Sequence, residues 1–166
     1  MSERYSCQVP AALIRVVTET LRSPQKIYSV IEATLNEPEL SYSYIVKKHT
    51  LQEILHHHFD VDREGADSAG IFKLFKVNAQ QFGTEHQVVN ILEFLAGLVL
   101  LSQLGTSSQT DLMHNSQLVE HKINLMLLLF DLRKKQSMNI SEVIIMLSTA
   151  VQSMQKIFPE TSFFGN

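Results

Sequence analysis

The chain has 166 residues, is 45 % hydrophobic and carries a net charge of −3. That is enough apolar material for one compact domain or two small lobes, and it is not a disordered composition. The slight acidity and the lack of a long basic block argue against a nucleic-acid partner. Cys7 is the one cysteine, so an internal disulfide is excluded.

The opening residues MSERYSCQVP are mostly polar and carry no secretory pattern. The longest apolar runs, 92–101 and 125–130, are too short to cross a bilayer. The expectation is a soluble, cytoplasmic protein with no membrane span.

In chain order, Pro10 is placed to open a helix with an apolar face of Leu13, Ile14, Val16, Val17 and Leu21. Ser23 and Pro24 restart a helix as cap and first residue. Its stripe is Ile27, Val30, Ile31 and Leu35, and Asn36-Glu37-Pro38 breaks it. Residues 41–59 read as helical in their later part, with Ile45, Leu51, Ile54, Leu55 and Phe59 facing a core. Residues 61–69 are acidic and polar, a connector and hinge between residues 1–60 and 61–166. Asp67 or Ser68 caps the next helix, which carries Ile71, Phe72, Leu74 and Phe75. Residues 89–101, VNILEFLAGLVLL, follow as a strongly apolar helix, and 104–117 as a polar surface loop. The last helices are 118–130 and one capped by Ser141 that runs to Phe158, where Pro159 stops it.

The stretch 125–147, LMLLLFDLRKKQSMNISEVIIML, carries the clearest motif. An apolar run ends at Phe130-Asp131, and Glu142 stands eleven residues after Asp131. Apolar residues return as Ile144, Leu147 and Val151, at helical spacing. Helix, twelve-residue loop, helix is the layout of an EF-hand. The stretch resembles the calmodulin superfamily in a form that has lost its calcium. A working loop offers oxygens at positions 1, 3, 5, 7, 9 and 12 and bends at a glycine in position 6. Asp131 and Glu142 suit the first and last positions. Arg133 and Lys135 stand at the third and fifth, and Gln136 at the sixth. Arg133, Lys134 and Lys135 against Asp131 and Glu142 sum to +1, which repels a divalent cation. The structural positions remain: Met138 at position 8, where the family makes a short strand, and Ile140 at position 10, expected to point into the core.

Residues 76–93 resemble a second hand. Val89, Ile91 and Glu93 match positions 8, 10 and 12, with Phe94 and Leu98 on the exit helix. This loop has eighteen residues where the standard has twelve, and it begins at Lys76, which is no ligand. Asn78, Gln80, Thr84 and Glu85 carry oxygens without a fixed geometry. Kinship to the family implies that the two loops pair through Val89 and Met138, flanked by Asn90 and Asn139. KKHTLQEIL, residues 47–55, faintly resembles the start of a further, eroded exit helix.

Other candidates read more plainly. His56-His57-His58, near Asp60 and Asp62, splay about 100° apart on a helix, so they cannot all face one ion. His49, Glu53 and His57 share a face at four-residue spacing, which surface pairing explains without zinc. His114 and His121 read as surface residues. Cys7 has no histidine near it in sequence to act as a base. Phosphate loops and nucleophile elbows are not found.

The expected fold is all-α: an EF-hand-like helical domain with a paired, degenerate EF-hand unit (61–166) and extra N-terminal helices (1–60). The expected role is a non-enzymatic, calcium-independent interaction module without cofactor or metal. Asp131, Glu142 and Glu93 would be vestigial loop positions. The partner-binding candidates are Phe94, Leu98, Leu101, Ile144, Leu147, Val151, Met154, Phe163 and Phe164, taking an amphipathic helix of a larger protein. The resemblance implies cytoskeletal, ciliary, motor or channel-associated partners. Two alternatives stand: a calcium sensor using the inserted loop or an eroded N-terminal hand, and a metal-dependent enzyme centred on residues 56–62.

Overall fold

The computed structural model describes residues 11, 13–16, 24–36, 44–77, 87–102, 112–131 and 134–159. They are mostly helical, as the all-α reading expected. Pro24 opens α1 (Pro24–Leu35), where a missing amide proton costs nothing. Ile27, Val30, Ile31 and Thr34 form its buried stripe. β1 (Ile45–Lys47) leads directly into α2 (Lys48–Phe59), which buries Thr50, Leu51, Ile54, Leu55 and Phe59. The strand is a correction. The β-branched pair Ile45-Val46 extends along a neighbouring chain segment instead of opening the helix, and Ile45 is half-buried. α2 stops at Asp60, whose φ of 54° lies in the left-handed region; its N–H bonds the carbonyls of Leu55 and His56.

α3 (Ala66–Phe75) begins after Gly65, which offers no side-chain cap, so neither Asp67 nor Ser68 is the capping residue. Asp67 lies in the first turn and pairs with Arg15, while Leu13 and Val16 beside it are buried. β2 (Val88–Asn90) then leads into α4 (Ile91–Leu101). The Asn90 side chain accepts the Leu92 N–H at 3.1 Å, the capping contact a helix start requires. α5 (Leu112–Phe130) starts six residues earlier than expected, inside the stretch read as a loop. α6 (Ile140–Ile157) is capped by Asn139, not Ser141. Asn139 accepts the Glu142 N–H at 2.8 Å, and Glu142 accepts the Asn139 N–H at 2.8 Å, a reciprocal box.

The strand pairing overturns the expected one. β1 and β2 are antiparallel, with Ile45 opposite Asn90, Val46 opposite Val89 and Lys47 opposite Val88. Ile91 N–H to Tyr44 O at 2.9 Å and Lys48 N–H to Gln87 O at 3.0 Å extend the ladder. The other side of Val89 bridges to Lys76. With both flanks taken, Val89 has no edge left for Met138. The units that pair are therefore α1–β1–α2 and α3–β2–α4. The pair joins residues on both sides of the 60/61 boundary, and one buried cluster also draws on both.

α4 is the centre of that cluster. All but one of its residues are buried, and it packs against α6, α5 and α1. Phe94 meets Phe75 edge to face at 5.5 Å. Gly97 lets α6 approach: a Cβ there would stand 2.7 Å from Ser153 Oγ and 3.1 Å from Ile157 Cδ1. Ser153 is fully buried and its hydroxyl has no hydrogen-bond partner. Gly97→Ala should therefore destabilise the protein by about 1–3 kcal/mol in urea unfolding. The clash exceeds the roughly 1 kcal/mol that alanine gains in a helix. Adding Ser153→Ala should recover part of the loss.

Candidate functional site

Glu93 and Glu142 both stand in the first turn of a helix behind a capping asparagine, and both are buried. The amino ends of helices favour carboxylates, but burial requires more than a dipole. Glu93 is met by the ammonium of Lys156, near the C-terminal end of α6. Asn90 Nδ2 donates to its other oxygen at 3.3 Å. Lys156 Nζ also reaches the carbonyl of Phe75, the last residue of α3, at 3.5 Å. One ammonium thus serves the anionic end of α3 and the carboxylate that opens α4. Spacing could not reveal this contact, since the two residues are 63 positions apart.

Asp131 and Glu142 are likewise satisfied from within. Asp131 accepts the N–H groups of Lys135 at 3.0 Å and Gln136 at 2.6 Å, and Glu142 is held in its capping box. Lys134 and Gln136 adopt φ values of 52° and 56°. That left-handed conformation is cheap only for glycine. The inserted-loop positions Asn78, Gln80, Thr84 and Glu85, and also Arg133, lie outside the described residues. Among the described residues, no group of three or more His, Cys, Asp or Glu is arranged to hold a metal ion.

The histidine run closes α2. Glu53 pairs with Arg63 at 2.8 Å and approaches His57 Nε2 at 3.5 Å. His56 Nδ1 lies 3.2 Å from the Val61 carbonyl, and His58 stacks edge-on against Phe59. His49 is exposed, as are Asp60 and Asp62. His121, read as a surface residue, has its Nε2 buried without a hydrogen-bond partner. Lys122 donates to the Leu100 carbonyl at 2.8 Å, near the end of α4, and burial lowers its pKa. Burial raises that of Tyr44. His114 has no described side chain, and Cys7 lies outside the described residues.

The candidate partner residues separate. Phe94, Leu98 and Leu101 lie in the core, enclosed by neighbouring helices, and present no outward face. Val151 and Met154 are half-buried, and Phe163 and Phe164 lie outside the described residues. Ile144 and Leu147 face outward at 57 % exposure each. Ile140, expected in the core, is 78 % exposed, because α6 turns its other side to α4. That inner side is small and partly polar: Thr149, Ser153 and Ile157 are its buried residues, with Glu142 near its start. Beside the start of α6, a hollow of about 500 Å³ is lined by Leu127, Leu128, Asp131, Gln136, Ser137 and Met138.

Compared with protein-family models, curated proteins and solved structures, the chain matches none. Among the described residues no helix is long and apolar enough to cross a membrane.

The two loop features give opposite stability changes. Gln136→Gly should raise unfolding free energy by about 1 kcal/mol by relieving the left-handed backbone. Asn139→Ala should lower it by about 1 kcal/mol by opening the box. Chemical denaturation measures both.

Proposed function

We propose that this chain is a calcium-independent, EF-hand-like interaction module that presents an apolar helix face to a protein partner. The observation that carries the reading is the internal cation: Lys156 sits on Glu93, the last ligand position of a hand-like loop. An ion pair made within the chain needs no calcium and leaves the carboxylate no coordination to offer.

Three further features support kinship with EF-hands. Two helix–strand–helix units join through a three-residue antiparallel contact. Gln136 keeps the left-handed turn that the sixth loop position demands of glycine. The carboxylate ends of both loops remain, redirected to a lysine and to backbone amides. Counting on from Val46 as the eighth position puts Thr50 at the twelfth, where a bidentate carboxylate belongs. The loops that end at Thr50 and Glu142 thus lack a working ligand set. Partner binding in this reading falls to the outward face of α6, since the α4 residues are enclosed. It proceeds by burial of apolar surface, at roughly 25 cal/mol per Å², with no metal-driven opening.

Calorimetric titration with calcium should give no specific heat for the native chain; binding at micromolar concentration would favour a sensor instead. The triple variant Arg133→Asp, Lys135→Asp, Gln136→Gly restores the third, fifth and sixth positions. It should acquire calcium binding with a Kd on the order of 10⁻⁵–10⁻³ M. A restored loop that still ignores calcium would contradict the kinship.

A further inference from the structure

One side of α6 carries an apolar seam along its whole length. Ile140, Ile144, Leu147, Val151, Met154 and Phe158 follow one another at alternating steps of four and three. They therefore share one line of the helix, from its first residue to its C-cap. The side that meets α4, with Ser153 and Ile157 against Gly97, is a different one. Cover along the seam is graded. Ile140 is 78 % exposed, and Ile144 and Leu147 57 % each. Val151 and Met154 are half-buried, and Phe158 packs on the buried cluster. The seam is thus better covered toward the end from which the chain leaves α6.

We propose that the C-terminal end of this seam is the seat of the chain's own next segment, residues 160–166, which lie outside the described residues. The proposal rests on the reading of α6 as the docking face and gives that face a regulator. The segment would hold part of the seam, and a partner helix laid along all of it would displace the segment. The segment carries one apolar pair, Phe163-Phe164, between Thr161-Ser162 and Gly165-Asn166. The seam is uncharged as well, so seating the pair desolvates no charge. Direction and reach agree with the gradient. The described chain is already turning at Pro159, which cannot continue the helix. With Glu160 and Thr161 spent in reversing, Ser162 to Phe164 run back about 10 Å at roughly 3.3 Å per residue. Met154 and Val151 stand about 8 and 12 Å before Pro159 along the helix axis, at about 1.5 Å per residue. The two rings therefore arrive at the half-buried residues. Ile140, roughly 28 Å from Pro159, stays beyond them.

Methionine-methyl NMR of the full chain tests the contact. Nuclear Overhauser effects should join the Met154 methyl to the rings of Phe163 and Phe164. Phe163→Ser with Phe164→Ser should shift the Met154 methyl resonance and leave that of the buried Met126 in place. The same double variant should keep the native circular dichroism and bind more of the dye anilinonaphthalene sulfonate, which reports exposed apolar surface. A Met154 methyl that meets neither ring and does not shift in the double variant would overturn the proposal, as would unchanged dye binding. Neither result alters the calcium titration, so the tail contact and the calcium-independent module fail separately.

Discussion

A carboxylate buried at the start of an apolar helix must find a counter-charge, and Glu93 finds it in Lys156. The consequence reaches far, because α4 is the helix around which the others assemble. Its burial leaves Glu93 little access to water, so the ammonium is delivered by a neighbour. Delivering it fixes the rotation of α6. With Lys156 turned inward, Ser153 and Thr149 also face α4, and Gly97 provides the room. The more apolar side of α6 is then left pointing outward. The exposed stripe is thus the geometric consequence of satisfying one buried charge.

The same logic describes the loops. In each, a carboxylate takes its partners from within the chain. Asp131 collects two amides of its own loop, Glu142 closes a capping box, and Glu93 takes a lysine from the far end of the protein. The starts of α2 and α4 follow short strands, and Gln136 takes a left-handed backbone. These helix ends are held by capping, strand contact and packing among the chain's own residues.

The local devices could be seen in the sequence. Helical spacing located the buried stripes of α1 and α2, and the apolar run at 89–101 announced a helix buried all round. The loop 131–142 was visible from Asp131, Glu142 and the residues between them. What could not be seen was the partnering. Three segments, around Val46, Val89 and Met138, have similar claims to a strand contact, and nothing in their side chains chooses between Val46 and Met138 for Val89. The choice is made by the helices that carry them. Ile140 was misplaced for a related reason: spacing defines a stripe but not which way it faces, and that direction was set by Lys156 and Gly97. The partner candidates on α4 were apolar enough for a groove, but that is also what a central helix needs.

The most direct test of the account is a double-mutant cycle between the two charges, read by equilibrium unfolding of the native chain, Glu93→Gln, Lys156→Met and the double variant. If the buried pair orients α6, each single variant is costly and the double variant recovers much of the loss, with a coupling of about 2 kcal/mol or more. A coupling within about 0.5 kcal/mol of zero would mean that Glu93 and Lys156 act independently, and that something else sets the face α6 shows to solvent.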